Sequence, residues 1–290
     1  MRIQQGGVES NGRGRGRWVV ALIVMLLMLL GVLSWLLTKT MGASLGGFGP
    51  AQMAAAQYTA RDVVGDLGGM PVTIPRHMAE FVEYEGDPGW GEKRQSATPE
   101  RTYQSHLTSF GVQFRYADLA TLSSSKEWKD KKSKSIYNTD WMSFGITSGK
   151  QYPGNGWLDR LTDARLLRRT SDRYIYIKQP QRNFGLDAYF MVNKDTGQPD
   201  ARMPTVTGES LYIGRDDNNQ VTTYIECSMA PHAAAPCAHS FSMEFQGVNA
   251  KVYVGYRRPM LEHWQDIQEK VTAIILGFKA EPISISAPAR

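Results

Sequence analysis

The stretch Trp18–Leu37 reads WVVALIVMLLMLLGVLSWLL, with no charged side chain and with Ser34 as the one polar residue besides the tryptophans. A helix of this length rises about 30 Å, enough to cross the hydrocarbon core of a bilayer. Inside lipid a lone span must satisfy its own backbone hydrogen bonds, so the form expected is a helix. Trp18 and Trp35 stand near its two ends, where indole rings settle at the headgroup boundary. Arg13, Arg15 and Arg17 precede the span and only Lys39 follows it closely. The excess of positive charge on the N-terminal side places residues 1–17 in the cytoplasm and residues 38–290 outside it. A cleaved signal peptide is the rival reading. Its apolar region runs about 7–15 residues, and Met41-Gly42-Ala43 is a poor cleavage site. The expectation is an uncleaved single-pass anchor in a bacterial inner membrane, with the bilayer as a first partner and the main domain in the periplasm.

The net charge of +5 suggests a polyanion partner until its distribution is read. Residues 1–39 hold Arg2, Arg13, Arg15, Arg17 and Lys39 against Glu9 alone, and the rest of the chain is nearly balanced. A phosphate-binding face that releases counterions is therefore not implied for the main domain, and no nucleic-acid partner is expected.

Residues 38–61 are rich in Gly and Ala and read as a juxtamembrane linker. From residue 62 to about 280 the chain reads as an α+β outer domain with an antiparallel sheet, either one unit or two halves split near 195–210, before a loose tail over 281–290. Ala79–Glu85 alternates and runs into the turn Gly86-Asp87-Pro88-Gly89. Phe110, Val112, Phe114 and Tyr116 alternate as a half-buried strand does. Lys126–Lys134 is a basic run around Trp128, read as an exposed short helix or loop. Strands are expected at Trp141–Thr147, Arg173–Lys178, Leu186–Val192, Ser210–Gly214, Val221–Cys227, Cys237–Gln246 and Val248–Tyr256, and a helix at Trp157–Arg169. Met260, Trp264, Ile267, Val271, Ile274, Ile275 and Phe278 recur at helical spacing, which predicts an amphipathic helix entered at Pro259 and packed on the core.

The two cysteines, Cys227 and Cys237, end one strand and open the next. Outside the cytoplasm they are placed to pair across the loop between them. The sharper alternative is a metal site of Cys227, His232, Cys237 and His239, though C-x4-H-x4-C-x-H is not a common zinc spacing. Gly42–Gly46 matches G-x-S-x-G but lacks the strand and helix that a nucleophile elbow needs. Gly145–Lys150 mimics a phosphate loop yet is one residue short and is followed by Gln151. Glu83, Glu85 and Asp87 could work as paired carboxylates, or form a solvated face. Asp216–Asn219 has turn chemistry and lacks the glutamate of a calcium loop. His77, His106 and His263 are scattered, with no nucleophile assigned to them. No catalytic set and no cofactor site is expected.

From Cys227 onward the chain runs through a Pro/Ala loop, Pro236-Cys237-x-His239-x-Phe241, a strand to Tyr256 and Leu261-x2-Trp264-x2-Ile267 in a final helix. This arrangement resembles the closing portion of bacterial periplasmic immunity proteins that neutralise lipase effectors of type VI secretion systems. The resemblance covers about a quarter of the chain. It implies a non-enzymatic outer domain that inserts into or covers a toxin's active site, and it carries over no binding residues. The expected function is thus a membrane-anchored domain that binds another protein, in its most specific form a secreted effector. The alternatives are a structural or assembly subunit of an envelope or secretion complex, and a hydrolase built on Glu83–Asp87 or the histidines.

Overall fold

A computed structural model describes residues 61–89, 91–93, 97–167, 173–198, 209–244 and 248–280. The basic tail, the apolar stretch, all of the linker but Arg61, the G-x-S-x-G match and the tail over 281–290 lie outside these, and with them Arg13, Arg15, Arg17, Trp18 and Trp35. Among the described residues no helix is long and apolar enough to cross a membrane.

Among the described residues eleven strands and three α-helices follow one another. They are β1 (Val63–Leu67), β2 (Met70–Ile74), β3 (Glu80–Tyr84), β4 (Leu107–Arg115), α1 (Ser125–Ser133), β5 (Trp141–Ser148) and α2 (Trp157–Leu167). Then come β6 (Tyr174–Lys178), β7 (Asp187–Asn193), β8 (Glu209–Arg215), β9 (Val221–Ser228), β10 (Pro236–Met243), β11 (Ala250–Arg257) and α3 (Trp264–Leu276). β3 to β11 form one antiparallel sheet of nine strands in the order β3-β4-β5-β11-β10-β9-β8-β7-β6, and β1 and β2 form a separate hairpin. β7 and β8 flank the region near 195–210 and pair directly, Asp187 opposite Ile213.

The alternation of β10 sets which face is which. Cys237, His239, Phe241 and Met243 are all buried, on the face that receives α3. Ile267, Val271 and Ile275 recur every four residues along α3 and are fully buried against that face. The hairpin covers the rest of it. Thr73 N donates to Phe278 O at 2.8 Å and Ala280 N to Pro71 O at 2.9 Å, so the end of α3 and β2 hold each other. The β1–β2 turn needs Gly68. Its φ is +58°, and a Cβ there would stand 2.3 Å from the carbonyl oxygen of Asn249. On the opposite face α2 packs on β9 and β10. Trp157 Nε1 donates to Ser242 Oγ at 2.7 Å, and Val221 N donates to Asp159 Oδ1 at 3.1 Å.

α3 begins later than its periodicity suggests. Arg258–His263, with Pro259 near the start, is a 3₁₀ segment, and the α-helix opens at Trp264. The fixed φ of proline suits the first turn of either helix type, so spacing alone does not separate them. The basic run over Lys126–Lys134 is a helix, α1, as far as Ser133. Ser124 caps it by accepting from Lys126 N at 3.1 Å, and Lys131 and Lys132 sit in its last turn, where cations complement the helix dipole.

Candidate partner-binding cleft

β3 is an edge strand, and it is irregular. Glu80 pairs with Gly111 and Glu83 with Ser109, so β3 spends one more residue than β4 over the same interval, a β-bulge. The alternation expected for Ala79–Glu85 is broken there. Phe81 sits in the bulge with φ +50° and is 86% exposed. A bulky residue in the left-handed region is a steric outlier that costs about 1–3 kcal/mol. Its aromatic ring gains little burial in return.

Next to Phe81, Val82 lines a cleft of about 760 Å³ that also takes in Val63, Val64 and Tyr84 as apolar lining and Arg61, Arg76 and Arg101 as cationic groups. The acids of this cleft are Asp62, Asp87 and Glu100. Its fixed centre is Tyr84. The phenol donates to Val64 O at 2.7 Å, and the Tyr84 backbone N–H donates to Asp87 Oδ2 at 3.0 Å. Arg101 lies over the Tyr84 ring, 4.2 Å from its centroid, and pairs with Asp87 Oδ1 at 2.6 Å. Burial pushes the Tyr84 hydroxyl above its ordinary pKa, against the opposing pull of Arg101. On the rim Arg76 Nη1 donates to Ala79 O at 2.6 Å, and Arg76 N donates to Asp62 Oδ1 at 3.1 Å. Among the described residues the lining holds no serine, cysteine or histidine. Chemically the cleft can hold an aromatic or aliphatic side chain over valine and tyrosine and can pair a carboxylate with arginine. Tyr and Arg are among the residue types that dominate protein–protein hot spots, and Phe is enriched in interface cores.

The residues singled out by sequence are placed elsewhere or already satisfied. Cys227 and Cys237 face each other in β9 and β10 and form a disulfide, which leaves no thiolate for a metal. His239 is buried in the core among the rings of Phe241, Tyr256 and Trp264. Its Nε2 lies 3.1 Å from Gln268 Oε1, so the ring nitrogen donates to that carbonyl oxygen. Burial lowers the His239 pKa to about 4 against the opposing effect of Gln268, which keeps the ring neutral. His232 lies in the disulfide loop beside the Tyr137 ring. Among the described residues no group of three or more His, Cys, Asp or Glu side chains could hold a metal ion.

Glu83 accepts from Ser109 Oγ at 2.8 Å, Glu85 pairs with Lys150, and Asp87 belongs to the cleft. Gly145–Ser148 are part of β5, which takes the phosphate-loop likeness apart. Asp216 Oδ1 accepts from Asn218 N and Gln220 N, closing the β8–β9 turn. His106 lies 3.5 Å from Asp66, and His263 stacks on Tyr116.

A second polar cluster joins α2 to the sheet. Arg165 donates to both Glu209 and Glu226, and Tyr176 and Tyr224 donate to the same two carboxylates. Burial, then the hydrogen bond and repulsion from Glu226, push Glu209 up to about 7. Burial also raises Glu226, but hydrogen bonds and the Arg165 charge outweigh it and leave that pKa below the ordinary value. The two carboxylates share one cation, which pins α2 against β8 and β9. Sequence reading missed Phe81, Tyr84, Arg101 and this cluster.

No family model matches the chain, and no curated protein matches it significantly. Among solved structures, an immunity protein of the Stenotrophomonas maltophilia type IV secretion system has a similar overall arrangement, with a TM-score of 0.49 at 15% identity. The match covers 76% of this chain and 94% of that one. That neighbour is an immunity protein of a type IV system, not of the type VI lipase class that the closing portion of the sequence led one to expect.

Proposed function

We propose that this chain is a membrane-tethered periplasmic binding protein that neutralises a secreted, envelope-targeting effector, and that the cleft beside β3 is where the effector docks. The observation that carries this reading is Phe81. A phenylalanine held in left-handed backbone at an exposed bulge lowers the stability of the free protein. Such a residue is intelligible if its ring is buried on association, with Tyr84 and Arg101 beside it as further anchors. The apolar stretch Trp18–Leu37 supports the tether, and the sequence of the closing portion supports the immunity class. Fold likeness contributes nothing to this assignment.

The partner is proposed by class only, and the secretion system it comes from is to be found from the neighbouring genes. The test is protection. Cells that make the adjacent effector in the periplasm are expected to survive when the full chain is co-expressed and to die when it is not. Survival that does not depend on the chain, or cofractionation with a large envelope complex where no toxin is encoded nearby, would favour an assembly subunit instead.

A further inference from the structure

α1 has two unlike faces. Glu127, Trp128, Asp130 and Lys131 are half-buried toward the sheet, and Lys126, Lys129, Lys132 and Ser133 are exposed. The inward charges are committed: Asp130 to Arg115 and to Trp141 Nε1, Glu127 to Ser124, and Lys131 to Gln113. Lys126, Lys129, Lys132 and the exposed Lys134 have no carboxylate within ion-pair distance among the described residues. The chain then turns sharply, with Asn138 N donating to Ser135 O at 3.2 Å, and presents Ile136 and Tyr137, 67% and 56% exposed. The turn is held from the sheet. Arg257 Nη1 donates to Tyr137 O at 2.7 Å and Arg257 Nε donates to Thr139 O at 2.9 Å. Tyr137 also rests edge-on against His232 of the disulfide-closed loop. The result is an apex that carries four exposed lysines along α1 and its end, with Lys126 and Lys134 in electrostatic reach of Glu127 and Asp130, followed by one exposed aliphatic and one exposed aromatic side chain on a held turn.

We infer that this apex docks on an anionic lipid surface, with the lysines at the phosphates and Ile136 and Tyr137 at the headgroup boundary. Charge complementarity selects an anionic occupant. The type of cation selects lipid over protein. Lysine is depleted in protein–protein interfaces, while arginine and tyrosine are enriched. The arginines at this end are occupied, Arg257 as above and Arg258 Nη1 on Ser228 O. Lysines act as point charges with no fixed fork, suited to a fluid layer of phosphates. Tyrosine beside an aliphatic residue suits the membrane–water boundary. The apex is distinct from the β3 cleft, so this inference does not rest on the effector reading.

The experiment uses the full chain carrying Ile136→Cys labelled with an environment-sensitive dye, reconstituted through its apolar N-terminal stretch into vesicles of phosphatidylglycerol and phosphatidylethanolamine or of phosphatidylcholine alone, so that the tether is the same in both arms and only the apex responds to lipid charge. A blue shift is expected with the anionic vesicles only. It should be reversed by high salt, and the ratio of docked to undocked apex should fall about fivefold for each lysine removed. Replacing Lys126, Lys129, Lys132 and Lys134 by Glu should abolish it, and replacing all four by Arg should preserve it, which separates lost charge from lost fold. An equal shift with phosphatidylcholine, or no shift with either vesicle, would overturn the inference. So would a shift produced by a soluble acidic protein in the absence of any response to anionic vesicles.

Discussion

Arg101 rests on the face of Tyr84 while its guanidinium pairs with Asp87, so one cation joins the ring and the acid of the cleft at 4.2 Å and 2.6 Å. Removing the Tyr84 hydroxyl breaks its bond to Val64 O and leaves that carbonyl on β1 without its phenol donor. Tyr84→Phe should therefore cost about 1 kcal/mol in denaturant unfolding. Arg101→Ala should weaken effector binding by tenfold or more if the cleft is the docking site.

Phe81 gives the opposite sign. Its side chain is 86% exposed, so truncation forfeits almost no burial, and asparagine tolerates its φ of +50° far better. Phe81→Asn is expected to raise stability by about 1 kcal/mol, read as a higher midpoint in urea. Phe184, at φ +55° in the Asn183–Leu186 turn, provides an independent control, since Phe184→Asn relieves the same strain away from the cleft.

The half-buried Glu209 and the buried His239 contribute to the pH dependence with opposite signs. Glu209 is raised to about 7, so the folded chain binds an extra proton above the ordinary glutamate range, and that contribution is lost as pH rises through 7. His239 is lowered to about 4, so its neutral form is favoured in the fold, and stability from this group is lost as pH falls from the ordinary histidine value toward 4. Between about pH 4.5 and 6.5 the two slopes oppose each other. Glu209→Gln removes one of them. Stability should then climb more steeply with pH over that window than in the wild type, and the decline toward pH 7 should disappear. Urea midpoints measured across pH 4 to 8 check this.

Cys227 and Cys237 stand opposite each other with Cα atoms 4.0 Å apart, closing a loop with a sequence separation of 10. Replacing both by alanine should cost roughly 2–3 kcal/mol. Because strand pairing continues past the bridge to His239–Ile225 and Phe241–Thr223, the variant should keep its far-ultraviolet circular dichroism.

The parts of the fold that announced themselves are those whose pattern is local. Phe110, Val112 and Phe114 alternate and form β4, and Cys237, His239, Phe241 and Met243 alternate and form β10. Ile267, Val271 and Ile275 keep helical spacing and form α3. β1 was harder to read because Val63–Leu67 holds only three apolar residues interrupted by Gly65 and Asp66. The cleft was not legible at all. Its lining comes from positions 61–64, 76, 82, 84, 87, 98, 100 and 101, brought together by tertiary packing. Nothing in the run around Phe81 signals a left-handed backbone, since phenylalanine is among the residues least expected there. The acids at Glu83, Glu85 and Asp87 stood out by composition, but their partners Ser109, Lys150 and Arg101 are 14 or more residues away in sequence.

The most direct measurement is protection from a candidate effector drawn from the genes neighbouring this one, scored for the full-length wild type and for Phe81→Asn, with the stability of each determined in parallel. The account predicts a variant that folds at least as firmly as the wild type yet no longer protects. A Phe81→Asn chain that protects as well as the wild type would contradict it.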